Sequence, residues 1–136
     1  MKHIHVAAAV LIDQGKVFAA QRNNTGEMAR KWEFPGGKLE PGETGEAAII
    51  REINEELSVS ITVDRYLMTV AHTYATFSLT MDAYLCTIQE GTIMLAEHEE
   101  SRWLSAESLF SVDWAAADIP IVHQVAALLS NDQFNR

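Results

Sequence analysis

The chain has a single cysteine, Cys86, so no internal disulfide can form, and its apolar neighbours Tyr84, Leu85 and Ile88 mark a buried thiol in a reducing compartment. Long apolar runs are absent as well. No stretch approaches the roughly eighteen consecutive apolar residues of a spanning helix, and Met1-Lys2-His3-Ile4-His5 leads into alternation rather than a signal-peptide core. A cytoplasmic protein with no membrane contact is therefore expected. Positive charge is scarce: 10 Lys and Arg stand against 19 Asp and Glu, giving a net charge of -9. Such a field repels a long polyanion and excludes stable binding to duplex nucleic acid. Repeats, linkers and low-complexity tracts are also missing. With 48% hydrophobic and 21% charged residues, the 136-residue chain has ordinary globular usage, which predicts one domain over residues 1–136.

The three prolines and seven glycines punctuate the chain in few places. Residues 4 to 12 and 16 to 21 are mostly apolar and flank Gln14-Gly15, which reads as two strands joined by a tight turn. Polar residues from Asn23 to Lys31 lead to Trp32-Glu33-Phe34 and then Pro35-Gly36-Gly37, a loop expected to follow unusual backbone angles, with Pro41-Gly42 closing it. Residues 43 to 57 place Ile49, Ile50, Ile53 and Leu57 at helical spacing and predict a helix. Residues 59 to 70 and 73 to 88 are rich in β-branched and aromatic side chains and predict two or three antiparallel strands. A polar loop from Glu97 to Ser101 precedes a short strand at Arg102-Trp103-Leu104, and Ser105 reads as a helix start. Asp118, as an N-cap before Pro120, opens a final helix through about Leu129. This order gives an α/β sandwich, with helices on both faces of a mixed sheet.

Free nucleotides are anions too, so an acidic protein that handles them needs a local basic patch or bound divalent cations. On the 43 to 57 helix, Glu52, Glu55 and Glu56 are related by steps of three and four and share one patch, apart from the apolar sector. A solvated acidic face, partly neutralised by Arg51, is the common reason for such a pattern. The other is a hard-cation site, since several carboxylates can hold metal ions around a phosphate.

Upstream residues decide between the two. From Gly37 the order is five residues, Glu43, seven residues, Arg51-Glu52-Ile53, one residue, Glu55-Glu56, one residue, Ser58-Val59. This spacing resembles the Nudix box, with Ser58 where the family carries glycine, and Trp32-Glu33-Phe34-Pro35-Gly36-Gly37-Lys38 resembles the MutT-like branch. The resemblance implies an α/β/α Nudix fold and hydrolysis of a nucleoside triphosphate to the monophosphate and pyrophosphate, with magnesium or manganese as cofactor. It implies that Gly37, Glu52, Glu55, Glu56 and a later acid, Glu97, hold the metal, with Glu99 and Glu100 as alternatives to Glu97. Glu52, Arg51, Glu55 and Glu97 form the implied catalytic set, Arg51 orienting Glu52 through an ion-pair network that includes Glu43. Arg22 and Lys38 are the candidates for phosphate contact, and either is equally a solvated surface charge. Phe34 and Tyr74 are candidates for the base pocket, although an aromatic on a strand is more often a core residue, and Asp118 is the candidate for reading the base, with Ala117-Asp118-Ile119-Pro120 similar to CTP pyrophosphohydrolases.

The implied substrate is 8-oxo-dGTP or a cytosine triphosphate such as CTP, dCTP or 5-methyl-dCTP. Cleavage of ADP-ribose or of a dinucleoside polyphosphate, and a non-catalytic nucleotide sensor, are the alternatives. The expected assembly is a monomer or homodimer whose partner is a small nucleotide.

Overall fold

The structure, a computed structural model, describes residues 1–130. Strands β1 (Lys2–Asp13) and β2 (Lys16–Gln21) form the expected hairpin. Its turn places Gln14 at φ 51° and Gly15 at φ 76°, the paired left-handed geometry whose twist matches the strands. The two strands pair only beside the turn, at Ile12–Val17 and Asp13–Lys16, and then diverge. Strands β3 (Trp32–Glu33) and β4 (Gly36–Lys38) fill the fork, β3 pairing with β2 and β4 with β1.

This corrects one expectation. Gly36 and Gly37 lie in a strand, and neither has a positive φ; close approach is what demands glycine there. A Cβ on Gly36 would stand 2.0 Å from the Ala7 carbonyl oxygen, and one on Gly37 would stand 2.4 Å from the Glu52 carboxylate.

Helix α1 spans Gly45–Leu57 and begins where the Thr44 hydroxyl accepts the Ala47 N–H. It ends at Ser58, held left-handed at φ 60°, whose N–H donates to the Asn54 carbonyl. Its buried face is Ala48, Ile49, Ile53 and Leu57; Ile50, expected inside, is exposed, because the apolar stripe runs through Ala48 instead. Two long strands follow, β5 (Ser60–Thr73) and β6 (Phe77–Glu90), paired antiparallel, and β6 runs parallel to β1 along its length. Strand β7 (Glu100–Leu104) pairs with β2 and begins two residues before the expected start. The segment after it forms turns closed by Ser105 and Ser108 rather than the expected helix. A short 3₁₀ turn, Ala116–Asp118, enters α2 (Ile119–Leu129).

The sheet is mixed, and side chains alternate between two cores. Ala7, Ala9 and Leu11 pack with Phe18, Tyr84 and Cys86 under α1, while Ala8, Val10, Leu79, Met81 and Leu85 pack under α2. Burial on both faces is why residues 4 to 12 read as almost continuously apolar. No helix among the described residues is long and apolar enough to cross a membrane.

Candidate active site

Three segments converge where β1 and β2 part. The first is the Trp32–Lys38 stretch in the fork. The second is the last turns of α1. The third is the loop after β6, drawn in because Met94 and Ala96 donate their N–H groups to the carbonyls of Leu57 and Glu56. Those carbonyls end a helix and have no acceptor role within it, so the loop satisfies them and is fixed by doing so. Its continuation brings Glu97 and His98 beside α1. Glu99 instead bonds Gln21 through its N–H and faces Arg30, and Glu100 lies in β7.

A cavity of about 300 Å³ opens there. It is lined by Gly37, Lys38, Glu56, Glu97 and His98, and by Phe34, Tyr74, Ala117 and Asp118, which are tied together by hydrogen bonds, with Arg22 and Glu33 also in its wall. Apolar side chains from β1 and β6, including Val6, Leu79 and Met81, form another part of the wall. Of the expected residues, Glu52, Glu55 and Arg51 stand off the cavity surface. Glu52 lies directly behind Gly37, Glu55 is largely exposed on the helix, and Arg51 works from the side. Arg51 donates two hydrogen bonds to Glu43 (2.8 and 2.9 Å), one to Glu52 (2.8 Å), one to Glu55 (3.4 Å) and one to the Lys38 carbonyl (3.1 Å). Paired this way, the guanidinium is held fully charged, and it pulls the Glu43 carboxyl down to about 2.

Glu56 has the opposite environment. Burial pushes its carboxyl up to about 9, and the nearby Glu33, Glu52 and Glu97 charges, with a hydrogen bond to Glu52, push the same way. Asp118 is buried, and desolvation first, then the Glu33 charge, hold its carboxyl well above the usual carboxylate range. Its Oδ2 accepts the Phe34 N–H at 3.0 Å. Asp118 itself sits in right-handed backbone geometry and makes no capping bond to α2, so the expected N-cap role is not what its side chain does. Phe34 is buried against Trp114, with ring centroids 4.7 Å apart. Tyr74 stands in the turn between β5 and β6 rather than within a strand, its hydroxyl accepting the Ala117 N–H.

Sequence reasoning missed Glu33 and His98. The Glu33 carboxylate accepts from Arg22 on one oxygen (3.0 Å) and meets His98 Nε2 on the other (2.8 Å). Glu33 lay inside the MutT-like stretch and carried a charge amid apolar neighbours, which was the available signal; His98, in a run of acids, gave none.

Among the described residues, the buried side-chain nitrogen and oxygen atoms with no hydrogen-bond partner are Arg22 Nε, Glu56 Oε2 and His98 Nδ1, and all three residues line this cavity. Buried polar groups are ordinarily paired, so three orphans at one place mark a surface built for a ligand. A carboxylate oxygen without a donor, amid other carboxylates, has the donor chemistry of a hard divalent cation. As they stand, no three His, Cys, Asp or Glu groups among the described residues close around one ion. Glu52 is turned to Arg51.

A family model described as NUDIX domain matches residues 7–124. The chain is 35% identical over 128 residues to the CTP pyrophosphohydrolase of Escherichia coli (strain K12), covering 94% of this chain and 95% of that one. It is 44% identical over 87 residues to the 8-oxo-dGTP diphosphatase of Proteus vulgaris, covering 63% and 78%. The solution structure of the E. coli ORF135 protein superimposes with a TM-score of 0.79 at 35% identity, covering 94% of this chain and 91% of that chain.

Proposed function

Because the chain belongs to the Nudix family, a family of divalent-metal hydrolases, we propose that it uses magnesium to cleave a nucleoside triphosphate whose base carries an exocyclic amino group, cytosine or 8-oxoguanine. The products are the monophosphate and pyrophosphate.

One observation carries this reading: the orphaned polar atoms of Arg22, Glu56 and His98 share a single cavity whose lining combines carboxylates with the aromatic side chains of Phe34 and Tyr74. A nucleotide combines matching features, anionic at the phosphates and flat at the base.

Glu52 and Glu56, with the Gly37 carbonyl, Glu55 and Glu97, would hold the metal. A divalent ion bound there neutralises phosphate charge and makes a water more acidic. The remaining roles belong to the chain itself. Arg51, locked to Glu43 and the Lys38 carbonyl, fixes the Glu52 carboxylate behind Gly37. Arg22 Nε and the Lys38 ammonium would donate to phosphate oxygens, placing fixed positive charge where negative charge develops. Phe34 and Tyr74 flank the base. The Asp118 Oδ2 is taken by the Phe34 N–H, which leaves the other oxygen for the base, where the ionised form of the carboxyl accepts from an exocyclic amino group. Both cytosine and 8-oxoguanine offer one, in keeping with the names of the two relatives.

The test is pyrophosphate release, with and without magnesium, from CTP, dCTP, 5-methyl-dCTP, 8-oxo-dGTP, dGTP and ADP-ribose. Magnesium-dependent pyrophosphate from a cytosine or 8-oxoguanine triphosphate is the expected result. Cleavage of ADP-ribose alone, or of no nucleotide, overturns the reading.

A further inference from the structure

The cavity is completed by two segments that share no sheet pairing. One is the β2–β3 loop, which contributes Arg22, Asn23 and Met28 to the wall; the other is the turn between β5 and β6, which contributes Tyr74 and leads to Phe77. Among the described residues, the side chain that hydrogen-bonds across them is Glu27. Its carboxylate accepts the N–H of Ala75 (2.7 Å), the N–H of Thr76 (2.9 Å) and the hydroxyl of Thr76 (2.6 Å). These bonds hold the Glu27 carboxyl below its ordinary value, the Thr76 hydroxyl contributing most.

The loop that Glu27 belongs to is stiff within itself. Arg22 N–H bonds the Lys31 carbonyl at its base, Arg30 N–H bonds Asn23, Ala29 N–H bonds Gly26, and Lys31 N–H bonds Met28. Gln21 adds a side-chain bond to the Arg30 carbonyl. These bonds and the Arg22–Glu33 pair anchor Arg22 at the base of the loop, so the contact at Glu27 sets chiefly where the outer part, with Met28, lies. The turn on the other side is equally organised: the Tyr74 N–H bonds the Phe77 carbonyl, their rings stack at 5.1 Å, and the Tyr74 hydroxyl reaches Ala117.

We propose that Glu27 is a positioning residue for substrate: by clamping the β2–β3 loop to the β5–β6 turn it fixes Met28 and Tyr74 as parts of one wall, and so sets the width of the cavity beside Tyr74. Glu27 does not line the cavity and touches no reacting atom; it acts through the two segments it joins. The proposal deepens the reading of the cavity as a nucleotide site and rests on it. Binding, rather than chemistry, is what the clamp governs, because Glu52, Glu55, Glu56 and Arg51 stand on α1, which Glu27 does not contact, and Arg22 is anchored at the base of the loop by the Lys31 carbonyl and Glu33.

The experiment compares wild type with Glu27→Ala, Glu27→Gln and Thr76→Val, using the best triphosphate from the panel. Glu27→Ala should raise KM about fivefold or more and leave kcat within about twofold, the signature of lost uniform binding. Glu27→Gln keeps an accepting oxygen and should recover part of the loss, and Thr76→Val, which removes the hydroxyl donor alone, should fall between wild type and Glu27→Ala. In parallel, amide hydrogen exchange should speed up at Ala75 and Thr76 in Glu27→Ala, while amides in β1 and α1 keep their protection. That exchange readout needs no substrate. If wild type cleaves no triphosphate, the reading of the site fails; if wild type turns over and Glu27→Ala keeps its KM, the clamp fails. A fall in kcat with KM unchanged, or no change in exchange at those two amides, also overturns it.

Discussion

Two carboxyl groups at the residue scale are held near neutrality by their surroundings, and each makes a different prediction. Glu56 is one of four neighbouring carboxyl groups, with Glu33, Glu52 and Glu97, and its buried Oε2 has no donor. Glu56→Gln keeps the shape and removes the charge, so the variant should fold as wild type by circular dichroism and lose nearly all magnesium-dependent turnover; retained turnover would remove Glu56 from the chemistry. For Asp118, the folded-state value lies above the unfolded one, so the folded chain binds the extra proton. Its contribution to stability is then full below the ordinary carboxylate value and is lost as pH rises towards the folded value. Asp118→Asn cannot ionise and still accepts the Phe34 N–H. It should melt above wild type at pH 8, with the gap narrowing by up to about 1.4 kcal/mol per pH unit towards pH 5. Urea midpoints across that range measure the slope. A flat difference would show that Asp118 is ionised in the fold.

Strands and helices carry the next predictions. The α1 terminus holds Ser58 left-handed, a conformation that costs a side-chain-bearing residue roughly 1 kcal/mol, so Ser58→Gly should raise stability by about that much and leave activity unchanged. A thermal melt showing destabilisation would mean that the cap is supported by contacts the φ angle does not reveal. The two glycines of β4 separate fold from chemistry. Gly36→Ala drives a methyl into the Ala7 backbone, where nothing can yield, and should cost about 3 kcal/mol in chemical denaturation. Gly37→Ala meets the Glu52 side chain instead, which can swing away; that variant should stay folded while its turnover falls sharply. Equal damage to stability in both would contradict the division. The α1 helix itself was legible because its apolar period and acidic spacing are local. The expected helix at Ser105 failed because a serine that can start a helix can also close a turn, and Ser108 takes that second option.

For the whole molecule, a net charge of -9 favours the binding of cations, and Glu33, Glu52, Glu56 and Glu97 gather at the site. Magnesium with a non-hydrolysable triphosphate should therefore stabilise the fold by roughly 3 kcal/mol at a hundredfold excess over Kd, read as a melting shift, and Glu56→Gln should blunt that shift. Long duplex DNA should produce no shift. The sequence by itself determined the two-faced sheet, the acidic helix and the likeness of Gly37 through Val59 to the Nudix box, because those depend on periods and spacings written along the chain. It could not determine why Gly36 and Gly37 are glycine, that Asp118 bonds Phe34 rather than its own helix, or that Glu33, His98 and Glu27 belong to the site or its frame. Each of those is a meeting of residues far apart in the chain, decided only when β1 and β2 diverge and a third segment fills the space between them. Hydrogen bonds and burial act over a few ångströms in space, whatever the separation along the chain.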